Sequence, residues 1–327
     1  MIIAVDAVGG DHFPINPIAG AIEALAEDKN LKVLLVGPDE MIKTELEKHS
    51  YDKDRLLVQD APQIITMDDS PAAAVKGKPQ SSIAIGLATH KQGKCDAFVS
   101  AGNTGALLAA STFILGKLPR VQRPTIAATY PTIKGFRLLM DAGANLELKP
   151  EMYVQFAQMG TIYAKEILEV SDPKVGLLNV GEEPEKGADI HREAFALLSA
   201  LPNFKGNIEG RDILPANVDV FLSDGFTGNI VLKLGESFPE ALQYLVGKTM
   251  KESGLDEASQ KMVAGILHKS LHTFNYEHVG GVPFLGVNGI SMVGHGGSSP
   301  LAIKNLILNA ARCVELKIND KIVASLQ

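Results

Sequence analysis

The feature that most restricts what this 327-residue chain can become is a repeated joint. A short apolar run ends in a turn of glycine and small polar residues, and an apolar pattern of helical period follows. Ile2 to Val5 leads through Asp6-Ala7-Val8-Gly9-Gly10-Asp11 into a segment marked by Ile18, Ala21, Ile22 and Leu25. Apolar residues three and four apart share one helix face, whereas a short continuous apolar run suits a strand buried on both sides. Asn16 and Pro17 suit the cap and first turn of the helix. Lys32 to Val36 is a second strand, followed by Gly37-Pro38 and a helix through about Glu47, and Leu56 to Val58 is a third strand. The unit recurs at Ala97 to Val99 with a helix from about Thr104, at Val175 to Leu178 with a helix from about Asp189, and at Val218 to Leu222 with a helix from about Thr227. Such alternation implies an α/β fold, a three-layer αβα arrangement around a mainly parallel sheet.

Two segments break the alternation. Thr125 to Thr129 and Phe136 to Met140, separated by Tyr130-Pro131 and Lys134-Gly135, read as an antiparallel hairpin. Residues from about Glu236 to Phe274 carry no strand signal and read as a helical pair broken at Gly254, a helical appendage or protrusion at about 236–275. No Pro/Ser-rich linker or low-complexity tract divides the chain, so residues 1–327 are expected to form a single α/β catalytic domain. The alternative is two subdomains meeting near residues 100–150.

Composition narrows the classes. Hydrophobic residues are 46% and charged residues 21% of the chain, as in ordinary folded proteins. A formal net charge of −7 disfavours nucleic acid as a partner, because backbone binding needs clustered Lys and Arg. Cys95 and Cys313 have no C-x-x-C partner or Cys/His cluster, which argues against a zinc site or a disulfide framework. With no basic segment and apolar leader ahead of Ile2, and no apolar stretch of spanning length, a cytoplasmic protein is expected.

Five joints combine glycine with small polar residues: Asp6 to Asp11, Ser100 to Gly105, Asn179 to Glu183, Ser223 to Asn229 and Gly294 to Ser299. Glycine allows positive φ and close backbone approach, and the first amides of a helix lack internal partners and can hold an anion. Each joint taken alone is equally an ordinary strand-to-helix turn, with Asn103 and Thr104 as caps. Established nucleotide motifs fail on spacing. Gly247-Lys248-Thr249 has Leu242 five residues before it where a P-loop has glycine, and no strand precedes it. No strand is followed by G-x-G-x-x-G, and neither G-x-S-x-G nor H-E-x-x-H occurs. Asp68-Asp69 invites Mg²⁺, but with Ser70 and Pro71 following, a cap or turn accounts for the pair.

The same joints carry a family resemblance. DAVGGD (Asp6 to Asp11), MDDSP (Met67 to Pro71), Ser81-Ser82-Ile83, SAGNTGALL (Ser100 to Leu108), DAGAN (Asp141 to Asn145), LNVGEE (Leu178 to Glu183), GNIEGRDI (Gly206 to Ile213), DGFTGN (Asp224 to Asn229), GGVPFLG (Gly280 to Gly286) and His295-Gly296-Gly297-Ser298 together resemble the PlsX phosphate acyltransferases. The resemblance spans nearly the whole chain. It departs mildly at Val8 (Met is usual), Lys76 (Arg is common) and Val282-Pro283-Phe284 (Ala-Pro-Leu is common).

The resemblance implies a fold similar to isopropylmalate dehydrogenase and phosphotransacetylase, a homodimer, and peripheral association with membrane. It also implies transfer of an acyl group from acyl carrier protein to inorganic phosphate, with no redox cofactor. The product, acyl phosphate, feeds phospholipid synthesis, with a glycerol-3-phosphate acyltransferase downstream. Phosphate is itself a nucleophile, so such a reaction needs a held dianion, a stabilised oxyanion and a departing thiolate rather than a catalytic serine or cysteine. The catalytic candidates are Lys186 as cation, Asn229 as oxyanion donor and His295 as proton carrier, with Lys233 a further cation. The phosphate-binding candidates are Gly9, Gly10, Gly102, Asn103, Thr104, Gly105, Arg211, Gly228, Gly297 and Ser298. No metal ligands are assigned. Each charged candidate is equally a surface or helix-end charge, and Asn229 and His295 are equally a cap and a structural histidine. Asp6, Asp141 and Asp224 either orient basic groups or bind loop amides. Lys117, Arg120 and Arg123, and separately Lys248, Lys251, Lys261 and Lys269, are candidate basic patches for an acidic carrier protein.

Overall fold

The computed structural model describes residues 1–271, 274 and 279–326. In chain order the first elements are β1 (Ile2–Asp6), α1 (Ile15–Glu27), β2 (Lys32–Gly37), α2 (Asp39–Leu46), β3 (Leu56–Asp60), α3 (Pro71–Gly77), α4 (Ser82–Lys91), β4 (Ala97–Ser100), α5 (Thr104–Ile114), β5 (Thr125–Thr132), β6 (Gly135–Met140) and α6 (Pro150–Glu166). They continue with β7 (Val175–Leu178), α7 (Asp189–Leu198), β8 (Phe204–Ile208), β9 (Val220–Leu222), α8 (Gly225–Glu252), α9 (Glu257–Leu271), β10 (Val282–Leu285), β11 (Ile290–Val293), α10 (Pro300–Glu315) and α11 (Ile318–Ser325). They form two compact units, one of Met1–Ala127, Gln158–Glu169 and Tyr276–Gln327, the other of Ala128–Ala157 and Val170–Asn275.

In the first unit the strands run β3-β2-β1-β4-β11-β10-β5. β1 pairs in parallel with β2, Ile3 opposite Val33, and with β4, Ile3 opposite Ala97. β11 joins β4 in parallel and β10 in antiparallel, and β10 pairs antiparallel with the start of β5. Apolar residues on both faces of the central strands explain why the sequence lacks strand alternation there: Ile3, Ala4, Val33, Leu35, Phe98 and Val99 are all fully buried. α1 and α10 pack closely because Gly20 leaves no Cβ, which would stand 2.5 Å from that of Ile303.

In the second unit the order is β5-β6-β9-β7-β8. β6, β9, β7 and β8 are parallel, with Leu138 opposite Val220 and Val175 opposite both Val220 and Phe204. α8 and α9 are the helical pair expected from the sequence, and Gly254 lies between them with φ +67°. Positions 272, 273 and 275 of the expected appendage lie outside the described residues. No described helix is long and apolar enough to cross a membrane.

Three boundaries differ from expectation for local reasons. α1 starts at Ile15 with Pro14 at the cap position, and Asn16 lies inside it, donating from Nδ2 to the Ser298 carbonyl at 2.9 Å. β9 starts at Val220 rather than Val218, because Asp219 faces Arg137 Nε at 2.7 Å and accepts the Lys174 amide at 2.9 Å. α8 starts at Gly225, two residues before Thr227, since Asp224 is its cap.

Candidate active site

In parallel α/β sheets the ligand crevice lies beyond the carboxyl ends of the strands. In the first unit three of the glycine joints meet there, following β1, β4 and β11. Backbone bonds tie them: the Asp11 amide donates to the Gly296 carbonyl at 2.8 Å, and the Gly294 amide donates to the Ser100 carbonyl at 2.8 Å. Beneath them Ser100 Oγ donates to Asp6 Oδ2 at 2.6 Å and accepts the Gly102 amide at 2.9 Å. A Cβ on Gly9 would stand 2.8 Å from Asp6 Oδ2, 2.8 Å from Ser100 Oγ and 2.9 Å from the Gly102 nitrogen, so only glycine fits. Gly10 has φ +94°, with the Gly296 carbonyl 2.9 Å from its Cβ position. Asp6 is 3% exposed, and burial pushes its carboxyl above the ordinary range, opposed by the Ser100 and Ser82 hydroxyls and the Val8 amide.

The cradle closes against the start of α5. Asn103 is the cap: its Oδ1 accepts the Ala106 amide at 2.9 Å, and its Nδ2 points to the carbonyls of Thr66, Met67 and Asp69 at 3.2, 3.2 and 3.0 Å. Both ends of the side chain are therefore occupied, and an anion here would meet backbone. The amides of Thr104 and Gly105, at the first two helical positions, have no intrahelical acceptor, and the first turn carries no acid. Thr104 is exposed. Asp69 accepts the Thr66 amide at 2.7 Å and Lys78 Nζ at 2.5 Å, and the Lys78 ammonium holds its carboxyl below the usual range. On the third joint His295 is exposed, and its Nδ1 accepts the Gly297 amide at 3.2 Å. Ser298 is 3% exposed and donates from Oγ to the His295 carbonyl at 2.6 Å. Gly9, Gly10, Gly102, Asn103, Thr104, Gly105, His295, Gly297 and Ser298 thus belong to one cluster.

The remaining candidates lie on the second unit, in two places. At the start of α8, Asp224 accepts the amide and the hydroxyl of Thr227 at 2.8 and 2.9 Å. The helix sits directly on the loop after β6: a Cβ on Gly228 would stand 1.8 Å from the Asp141 carbonyl oxygen. That loop curls around the buried Asp141 carboxylate, which accepts the amides of Gly143, Ala144 and Asn145 at 3.0, 2.9 and 2.8 Å and Asn145 Nδ2 at 2.7 Å. Burial pushes the Asp141 carboxyl up, and these donors oppose it. Asn229 is exposed on the first turns of α8, 3.6 Å from the Cβ position of Gly143. At the end of β7, Lys186 Nζ lies 4.0 Å from Glu183. Arg211 pairs with Glu182 at 3.3 Å and Glu209 at 2.8 Å. Lys186 is the less engaged of these two cations. Lys233 pairs with Glu236 at 2.7 Å.

Asp6, Asp141 and Asp224 therefore bind amides and hydroxyls in the bonds described here. Asp11, Met67 and Asn145 join these loops without having been singled out as site residues from sequence. Each sits inside a quoted motif, which was the available signal, but their placement depends on contacts over tens to hundreds of residues.

Residues 1–321 match the family described as "Fatty acid synthesis protein". A phosphate acyltransferase of Chlorobaculum parvum is 43% identical over 100% of this chain and 99% of its own length. One from Salinibacter ruber is 46% identical over 94% of this chain and 92% of its own. Among solved structures, a phosphotransacetylase from Streptococcus pyogenes has a TM-score of 0.64 at 17% identity, covering 96% of this chain and 94% of its own. The EutD phosphotransacetylase from Staphylococcus aureus has a TM-score of 0.60 at 15% identity with the same coverage. At such identity the likeness speaks to the fold. The full-length match at the sequence level speaks to the activity: the chain belongs to the PlsX family of phosphate acyltransferases and is an acyltransferase of the fatty acid and phospholipid synthesis group.

Proposed function

We propose that this protein transfers a long-chain fatty acyl group from acyl-[acyl carrier protein] to inorganic phosphate, giving acyl phosphate. The observation that supports it most is the first unit's cradle, where three glycine joints bring backbone close together beside the acid-free start of α5. In the step, an oxygen of phosphate attacks the thioester carbonyl carbon, the oxyanion forms, and the carbon–sulfur bond breaks. The proton leaving phosphate ends on the carrier's thiolate. In this reading His295, exposed on the third joint of the cradle, takes that proton and returns it. Gly9, Gly10, Gly102, Thr104, Gly105, Gly297 and Ser298 are the phosphate contacts of this reading, with Asn103 through its backbone. Lys186 as cation, Asn229 as oxyanion donor, and Arg211 and Gly228 as phosphate contacts lie on the second unit and are separate candidates there, each tested by single-site kinetics.

The test supplies purified protein with phosphate and palmitoyl carrier protein, and measures acyl phosphate and free thiol together. Equal appearance of the two supports the reading. Faster turnover of acetyl-CoA would make the protein a short-chain phosphotransacetylase, and liposome binding without acyl phosphate would make it a scaffold. The proposal extends to a homodimer that touches membrane through α8 and α9 and supplies a glycerol-3-phosphate acyltransferase. Tyr244, Leu245, Met262 and Ile266 support this extension, being 71, 58, 67 and 60% exposed on those helices. Flotation with anionic liposomes and sedimentation equilibrium test it.

A further inference from the structure

The segment from Thr66 to Pro71 is fixed by its polar groups, yet it presents an apolar side chain to solvent. Asn103 Nδ2 holds three of its carbonyls, Lys78 holds Asp69, and Pro71 Cγ lies 2.7 Å from the Cβ position of Gly105. Met67, in the middle of these anchors, is 50% exposed. Its Cε lies 3.3 Å from where a Cβ would stand on Gly296, and both carboxylate oxygens of Asp11 lie 3.3 Å from the same point. Phe13 and Ile15, 37% and 53% exposed, lie between Asp11, whose amide donates to the Gly296 carbonyl, and Asn16, whose Nδ2 donates to the Ser298 carbonyl, so the segment that carries them is held against the same joint.

This rim differs chemically from the start of α5. The Asp11 carboxylate beside Gly296 weakens dianion binding on that side, so of the phosphate contacts proposed above those at Thr104 and Gly105, whose amides have no intrahelical acceptor and whose helix turn carries no acid, hold the dianion most strongly. An uncharged thioester and its hydrocarbon suffer no such repulsion. Methionine suits a sliding chain, since its unbranched, polarizable side chain adapts to varied apolar surfaces. The backbone beneath it is held, so the adaptability is confined to the side chain.

We propose that Met67, with Phe13 and Ile15, forms the lip on which the fatty acyl chain lies as it leaves the cradle, making Met67 a specificity-determining residue for chain length. This rests on the acyl-transfer reading above. The test measures kcat/KM for four-, eight- and sixteen-carbon acyl carrier proteins with the full-length chain, its Met67→Asp variant and its Met67→Leu variant. Met67→Asp is expected to lose about tenfold or more on the sixteen-carbon donor relative to the four-carbon donor, equivalent to about 1.4 kcal/mol. In Met67→Gln, which adds polarity but no charge beside the cradle, the same relative loss should appear with a phosphate KM within about twofold of the parent, and Met67→Leu should keep the parent's chain-length profile. An equal loss on all donors, or a change confined to phosphate KM, overturns the lip while leaving the acyltransferase reading intact. A parent protein that forms no acyl phosphate from any donor removes that reading and the lip with it. If Met67→Asp does not fold, Met67→Gln carries the same comparison with the same expected direction.

Discussion

Substituting Gly9 by alanine puts the cradle's construction to the test. The added methyl would lie 2.8 Å from Asp6 Oδ2, 2.8 Å from Ser100 Oγ and 2.9 Å from the Gly102 nitrogen. None of these can swing away: Asp6 and Ser100 are 3% and 1% exposed, and the third is backbone. Relief requires the β1 joint to move off the β4 joint, which stretches the 2.6 Å bond from Ser100 to Asp6. Overpacking of this kind costs about 1–3 kcal/mol. Weakening a buried hydrogen bond to a carboxylate adds about 1.5–3 kcal/mol. Against a domain stability of about 5–15 kcal/mol, a total near 2.5–6 kcal/mol is a large share. Urea unfolding should show the midpoint of the first unit's transition lowered by about 1–2 M at unchanged slope. Gly77→Ala is the matched control, because nothing lies within 4 Å of its Cβ position at the end of α3. It should move the midpoint by no more than about 0.5 kcal/mol equivalent. A Gly9→Ala protein as stable as the parent would refute the reasoning that packing around Asp6 and Ser100 demands glycine.

Other perturbations probe separate parts of the account. Gly228→Ala places a methyl 1.8 Å from the Asp141 carbonyl and should abolish cooperative folding of the second unit, whereas Gly247→Ala, with nothing within 4 Å, should stabilise α8 by up to about 1 kcal/mol; thermal unfolding of both variants checks the contrast. Asn103→Ala removes a helix cap and leaves three carbonyls without their donor, so it should cost about 2–4 kcal/mol and speed proteolysis between residues 60 and 80. His90 lies between the Cys95 carbonyl at 3.0 Å from Nδ1 and the Ile290 amide at 3.0 Å from Nε2, and burial lowers its pKa despite the Cys95 bond and nearby Asp96. The unfolded histidine takes up a proton near pH 6.5 while the folded one resists, so its contribution is full above that pH and is lost as pH falls below it. The parent should therefore lose more stability between pH 7.5 and 5.5 than His90→Gln, read from urea midpoints. Burial pushes the thiols of Cys95 and Cys313 up to about 12, so neither should react with a thiol reagent at pH 8 until the chain is unfolded.

The joints were legible because each compresses its information locally. Apolar runs such as Ile2 to Val5 and Val175 to Leu178 end within a residue of the observed strand ends, with glycine three positions beyond those ends at Gly9 and Gly181, and the helices at Thr104 and Asp189 begin where expected. α6 was not anticipated. Yet Tyr153, Phe156, Ala157, Tyr163 and Ala164, all buried on it, recur at helical spacing and were an available signal. β10 and β11 escaped for a structural reason: they are four residues each, and what makes them strands is pairing with β5 and β4, more than 150 positions away. The site shows the same division. Sequence located the glycine loops, but not that the joints after β1, β4 and β11 converge, nor that Asn103 has both ends of its amide engaged, because those facts arise from long-range contacts.

The measurement that tests the central claim most directly is a single-turnover reaction of the purified protein with palmitoyl carrier protein and ¹⁸O-labelled phosphate. The account predicts palmitoyl phosphate in which the oxygen bridging carbon and phosphorus is the label, formed at the same rate as free carrier thiol. Thiol release that yields palmitate without labelled acyl phosphate, or turnover that needs no phosphate, would contradict direct attack by phosphate on the thioester.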